Sequence, residues 1–144
     1  MSVTTTLDRT LVALADDAGA AIMALYGKVE ARHKDDRSPV TAADEATERI
    51  ILAGLATLTP DIPVIAEEQV SRGAAPTGVG RKFWLVDPLD GTKEFLSQNG
   101  EFTVNIALIE DGKPVMGVVG APAKGLLYIG GDSGAQRRRD GGVF

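Results

Sequence analysis

Between residues 6 and 26 the apolar positions Leu7, Leu11, Leu14, Ala18, Ile22 and Leu25 recur at steps of three and four, and Gly27 follows as a stop. That spacing predicts an amphipathic helix. A polar stretch over residues 32–37 leads to Ser38-Pro39-Val40-Thr41, where proline forces an extended approach and Thr41 with Asp44 fits the S/T-x-x-D/E capping box. A second helix therefore starts there, turns Ala43, Ala46, Ile50, Leu55 and Leu58 towards a core, and ends before Pro60. Beyond Pro60 the period becomes extended. Pro63-Val64-Ile65-Ala66 reads as a short buried strand running into Glu67-Glu68, and residues 71–80, aperiodic and rich in Gly, Ala, Pro and Thr, as a mobile surface loop. Phe83-Trp84-Leu85-Val86 is a second apolar strand that ends at Asp87, residues 92–96 suit a short helix, and Asn99-Gly100 a turn. The alternation over residues 102–109, the Asp111-Gly112 turn and the apolar run over residues 115–119 predict a β-hairpin. A third antiparallel strand, residues 126–129, follows the Ala123-Lys124-Gly125 turn. Residues 136–144 read either as a strand and turn leading into a further element or as a polar tail.

Two helices followed by five or more mostly antiparallel strands define an α+β fold, the helices packed on one face of the sheet. No repeat and no linker divides the 144 residues, so residues 1–144 read as one domain. Composition narrows the chemistry. With 44% apolar and 24% charged residues the chain is an ordinary globular one, and 17 glycines with seven prolines agree with a turn-rich sheet. A net charge of −5 argues against a nucleic-acid scaffold, which needs clustered Lys and Arg. The chain has no cysteine and one histidine, His33, in a charged stretch that reads as a solvated loop, which excludes disulfides, thiolate zinc sites and His-rich metal sites. Any bound metal must be held by oxygen. No run approaches the roughly 18 apolar residues of a membrane span, and the first apolar segment, cut by Asp16-Asp17, lacks the features of a leader, so the protein is expected to be cytoplasmic.

The segment Trp84-Leu85-Val86-Asp87-Pro88-Leu89-Asp90-Gly91-Thr92 is the most informative. An apolar strand delivers Asp87 to the sheet edge, Pro88 bends the chain, and Asp90 follows three residues later, so two hard oxygen ligands can converge. Gly91 permits close backbone approach, and the Gly91 and Thr92 amides open the next helix as an anion site. A dication and a phosphate could meet here. The plainer reading is that both aspartates only cap a turn and a helix. Glu67-Glu68 ends the neighbouring strand in the same way, and carboxylates packed so closely repel one another unless a cation such as Mg²⁺ relieves them. Asp44 is the N3 partner of Thr41 in the capping box, and where the second helix starts near the strand ends it also accepts a hydrogen bond from Thr92. Lys34, Arg81, Lys82 and Lys93 can offset local negative charge, while Arg137-Arg138-Arg139 reads as a solvated strand or tail and Trp84 as core.

At these residues the sequence resembles the inositol monophosphatase superfamily of lithium-sensitive, Mg²⁺-dependent phosphatases, most of all its 3′(2′),5′-bisphosphate nucleotidase branch. Four blocks carry the match: Ser38-Pro39-Val40-Thr41-Ala42-Ala43-Asp44, Val64-Ile65-Ala66-Glu67-Glu68, residues 84–95 from Trp84 to Phe95, and residues 99–108 from Asn99 to Leu108. Lys93-Glu94-Phe95 follows the nucleotidase pattern, where inositol phosphatases more often have Thr-Asn-Phe. The resemblance implies that Glu67, Asp87, Asp90 and the Leu89 carbonyl bind Mg²⁺, that Asp44 and Thr92 activate water, and that the Gly91 and Thr92 amides hold phosphate. It implies hydrolysis of a small phosphomonoester such as adenosine 3′,5′-bisphosphate to AMP and phosphate, by metal-activated water and without a phosphoenzyme. The match covers only the first half of the family's layered αβαβα fold, so the C-terminal domain, with a further metal-binding aspartate, is expected to be absent. An apolar sheet face should then be exposed, favouring self-association or a partner chain.

Three other readings stay open. An inositol monophosphatase-like sugar phosphatase would share every motif above. The strand ending in aspartate with Asp-Gly-Thr beyond also resembles haloacid dehalogenase-type phosphatases, although there one residue separates the two aspartates and here Pro88 and Leu89 do. Finally, the chain could be a truncated, non-catalytic fragment that binds metal and phosphate.

Overall fold

The computed structural model describes residues 6–28, 32–33, 39–67, 70, 73, 80–132 and 134–142. Helix α1 (Thr6–Leu25) buries Leu11, Leu14, Ala18 and Ile22, the stripe its spacing predicts, and Gly27 closes it at φ 75°, where the Lys28 amide donates to the Leu25 carbonyl. Two short strands follow, β1 (Arg32–His33) and β2 (Pro39–Val40), paired antiparallel with His33 opposite Pro39. His33 thus lies in a strand rather than a loop: a two-residue pairing leaves no periodicity to read, and only the return of the chain through Pro39 supplies the partner.

Helix α2 (Ala42–Leu58) starts at the expected cap, and its last amide bond runs from Thr59 to Leu55, just ahead of Pro60. Its inward face includes the expected residues and is wider than they imply. Ile51, Leu55 and Ala43 are fully buried together with Thr47 and Glu48, whereas Ile50 and Leu58 only flank the core. Polar Thr47 is tolerated inside because its hydroxyl donates to the Ala43 carbonyl at 2.6 Å. The two helices approach closely at Gly54, where a Cβ would come within 2.5 Å of Leu14.

The sheet has the order β3-β4-β5-β6-β7-β8, formed by Val64–Ala66, Lys82–Asp90, Thr103–Glu110, Lys113–Ala121, Leu126–Gly131 and Gly134–Arg139. Only β3 and β4 are parallel; every later pair is antiparallel. The hairpin between β5 and β6 turns on Asp111 and Gly112, both with positive φ, as a two-residue turn matched to strand twist requires. Along β5 the side chains of Val104, Ile106 and Leu108 point inward beneath the helices. Trp84 and Val86 of β4, Val118 of β6 and Leu127 and Ile129 of β7 complete that layer, and the Trp84 indole N–H donates to Thr59 at the end of α2. The α+β architecture is as the pattern implies. On the opposite face Leu85, Val119 and Tyr128 stay 46%, 39% and 42% exposed, the apolar face expected to be open. The loop expected over residues 71–80 lies mostly outside the described residues.

Candidate active site

Asp44 is fully buried in the first turn of α2 and uses both oxygens. Its Oδ2 accepts from the Thr41 backbone N–H at 2.8 Å and from the Thr41 hydroxyl at 2.7 Å, closing the capping box. Its Oδ1 accepts from the Thr92 hydroxyl at 3.0 Å, across 48 residues of sequence. Both roles expected of Asp44 therefore coexist, because the cap occupies one oxygen and leaves the other aimed at the strand ends. Thr92 opens the short helix α3 (Thr92–Leu96), and its hydroxyl also lies 3.5 Å from the Leu89 carbonyl oxygen.

β4 does not end at Asp87. It continues to Asp90 with a register shift: Asp87 faces Asn105 and Asp90 faces Thr103, so three steps on β4 match two on β5. Residues three apart on a regular strand point to opposite faces, and one extra residue restores them to the same side. The bulge contains Pro88, which has no N–H to give to a ladder. This is what makes Asp87 and Asp90 neighbours on the face away from the helices, while Leu89 is buried. Immediately beyond, Gly91 takes φ 91°, and a Cβ there would meet the Glu101 carbonyl at 3.0 Å and Phe102 Cα at 3.3 Å. Only glycine suits both the conformation and the space.

The Asp87 carboxyl is pushed up to about 6 from 3.8. Removal from water is the largest cause, followed by the negative charges of Asp90 and Glu67, with a smaller push from Asp44. A backbone hydrogen bond from Leu89 opposes them. Asp90 of β4, Glu67 just past the end of β3 and Asp44 of α2 thus all act on Asp87. Among the described residues no three acidic or histidine side chains already close together as ligands around a point. The donor chemistry nevertheless fits Mg²⁺: hard oxygens on a half-buried, mutually repelling group, the arrangement a dication stabilises.

Of the expected site residues, Asp44, Thr92 and Leu89 are joined by the contacts above, Gly91 immediately precedes Thr92, and Glu67, Asp87 and Asp90 are linked by charge interactions at Asp87. Glu68 and Lys34 lie outside the described residues. The remaining basic candidates are engaged elsewhere or exposed: Arg81 pairs with Asp111, Arg138 of β8 with Asp16 of α1, and Lys93 is exposed. The run Arg137–Arg139 forms part of strand β8 rather than a tail. Sequence reasoning passed over Asn105 and Thr103, which face the two aspartates and are hydrogen-bonded to each other at 3.0 Å. Their alternate positions on a predicted strand were the signal that could have found them.

The sequence pattern of the inositol monophosphatase family matches residues 4–138. The chain belongs to that family. It is 53% identical over 131 residues to the 3′(2′),5′-bisphosphate nucleotidase CysQ of Salmonella typhimurium, covering 89% of this chain and 53% of that protein. Among solved structures, CysQ from Bacteroides thetaiotaomicron superposes with a TM-score of 0.71 at 38% identity, covering 94% of this chain and 49% of the other. The extragenic suppressor protein suhB from Bartonella henselae superposes with a TM-score of 0.79 at 28% identity, covering 94% and 54%. The chain therefore spans about half the length of the inositol monophosphatase-family relatives it matches. No helix among the described residues is long and apolar enough to cross a membrane.

Proposed function

We infer that this chain carries the metal- and phosphate-binding half of a Mg²⁺-dependent phosphomonoesterase, acting on a nucleoside bisphosphate such as adenosine 3′,5′-bisphosphate to give AMP and phosphate. The observation that carries the reading is the Thr92–Asp44 hydrogen bond beside Asp87 and its acidic neighbours. The nucleotidase names of the relatives at 50% identity or more and the Lys93-Glu94-Phe95 continuation favour a nucleotide over an inositol phosphate.

Glu67, Asp87, Asp90 and the Leu89 carbonyl would hold the cation. When bound, it would supply positive charge to the phosphoryl oxygens and make a neighbouring water more acidic. The chain's own contribution is to move and place a proton. Thr92 points its hydroxyl hydrogen at Asp44 Oδ1, so its oxygen can accept a proton from the attacking water as its own passes to Asp44. The cap keeps Asp44 in one rotamer throughout. The Gly91 and Thr92 amides would hold the phosphoryl oxygens, and the absence of a Gly91 side chain keeps that approach open.

The test is phosphate release by the 144-residue chain from adenosine 3′,5′-bisphosphate and from inositol 1-phosphate, with and without Mg²⁺, beside a Mg²⁺ titration of the melting temperature. Mg²⁺-dependent release that is faster from the nucleotide is expected. A second reading, a binding half that does not turn over, is supported by the match to about half of each relative's length and by the lack, among the described residues, of three acidic or histidine side chains placed together as ligands. Mg²⁺-raised melting with no release selects it. Neither effect at saturating Mg²⁺ would overturn both.

A further inference from the structure

The segment from Gly91 to Phe102 carries Thr92 and is held from behind by the end of α1. Tyr26, one residue past that helix, receives the Gly100 backbone N–H on its hydroxyl at 3.1 Å. Its ring packs against Phe95 at 5.5 Å between centroids and against Phe102 at 5.2 Å, and those two pack edge-to-face at 5.2 Å. Phe95 and Phe102 are each 1% exposed. Phe95 belongs to α3, its amide donating to the Gly91 carbonyl at 2.9 Å, and Phe102 lies directly behind Gly91. Tyr26 thereby touches the segment at Phe95, Gly100 and Phe102. Gly27, at φ 75°, brings the chain close to the Gln98 side chain, whose Oε1 would lie 2.8 Å from a Cβ at that position.

We propose that Tyr26 is a positioning residue that sets where the Gly91–Thr92 turn stands against Asp44, by anchoring Phe95, Gly100 and Phe102 together. The inference rests on the reading of that turn as the phosphate-facing part of the site. The physical argument is one of connectivity. Between residues 91 and 102 the backbone takes positive φ at Gly91, Gln98 and Gly100, so outside the one turn of α3 the segment lacks the repeating hydrogen bonds that would fix it by itself. Its placement comes from buried aromatic contacts and a few polar anchors, Thr92 to Asp44, Lys124 to Glu101 and Gly100 to Tyr26 among them, and Tyr26 supplies the third ring and the last of these anchors.

Amide hydrogen exchange on the Mg²⁺-free chain, wild type against Tyr26→Phe and Tyr26→Leu, tests the anchor. Tyr26→Phe keeps the ring and is expected to speed exchange at Gly100 and Phe95 by about tenfold, the β5–β6 ladder moving less than twofold. Tyr26→Leu should enlarge the same local effect. Titration with inorganic phosphate in saturating Mg²⁺ should then show about fivefold weaker binding to Tyr26→Phe. Exchange that is unchanged, or that rises only in step with the β5–β6 ladder, overturns the proposal, as does equal phosphate affinity in variant and wild type. Phosphate that fails to bind the wild type instead overturns the phosphate reading of the turn, and the exchange result still decides whether Tyr26 anchors the segment.

Discussion

The two faces of β4 carry opposite chemistry on one strand. Trp84 and Val86 point beneath the helices and are at most 1% exposed, whereas Leu85 is 46% exposed and Asp87 and Asp90 stand on its side. The covered face is specified by burial, and a change there is felt by the whole fold. The open face is specified by chemistry: its acidic end raises the energy of the metal-free protein, as the displaced Asp87 carboxyl shows. Along β4, packing and site therefore share a backbone without sharing side chains, and substitutions on its two faces should have separate effects.

The largest test of that separation is Trp84→Ala, which removes a fully buried ring and its bond to Thr59; urea unfolding should show a loss of about 3–5 kcal/mol. Next, Asp87→Asn should leave the fold intact yet abolish the Mg²⁺-induced rise in melting temperature. In any form that turns over, it should cut phosphate release by more than about a hundredfold, beyond the loss of an outer-shell partner. The same residue gives a pH signature. Because folding raises the Asp87 carboxyl to about 6 from 3.8, the fold favours its protonated form, and that contribution is complete below 3.8 and lost as pH rises through about 6. Melting of the Mg²⁺-free protein should fall across that window, and Asp87→Asn should flatten the decline. A smaller effect is expected at Thr41→Ala, about 1 kcal/mol in urea unfolding from the lost hydroxyl cap, with Asp44 still held by the backbone N–H of residue 41 and still placed to accept from Thr92. Smallest is Leu85→Lys on the open face, within about 0.5 kcal/mol by the same unfolding measurement. A large loss there would mean that the two faces are coupled.

Much of this was legible in the chain. The α1 stripe, the Thr41–Asp44 box, the Asp111-Gly112 turn and the alternation of β5 are local signals of period or turn chemistry, and each stands where it was expected. The inward face of α2 was less legible, because Thr47 and Glu48 are buried in the packed fold and no hydropathy pattern marks them. The short β1–β2 pair was invisible for want of length.

By itself the sequence determined which residue types could meet: an oxygen-only donor set, an acid inside a helix cap, and two aspartates astride a proline. Only the tertiary structure decided how they meet. The bulge at Pro88 corrects the parity of the two aspartates, and the packing of α2 beside β4 brings Thr92 within 3.0 Å of Asp44. The reason is range: caps, turns and periods act over a few residues, whereas this bond spans 48 and exists only once the helices have settled on the sheet.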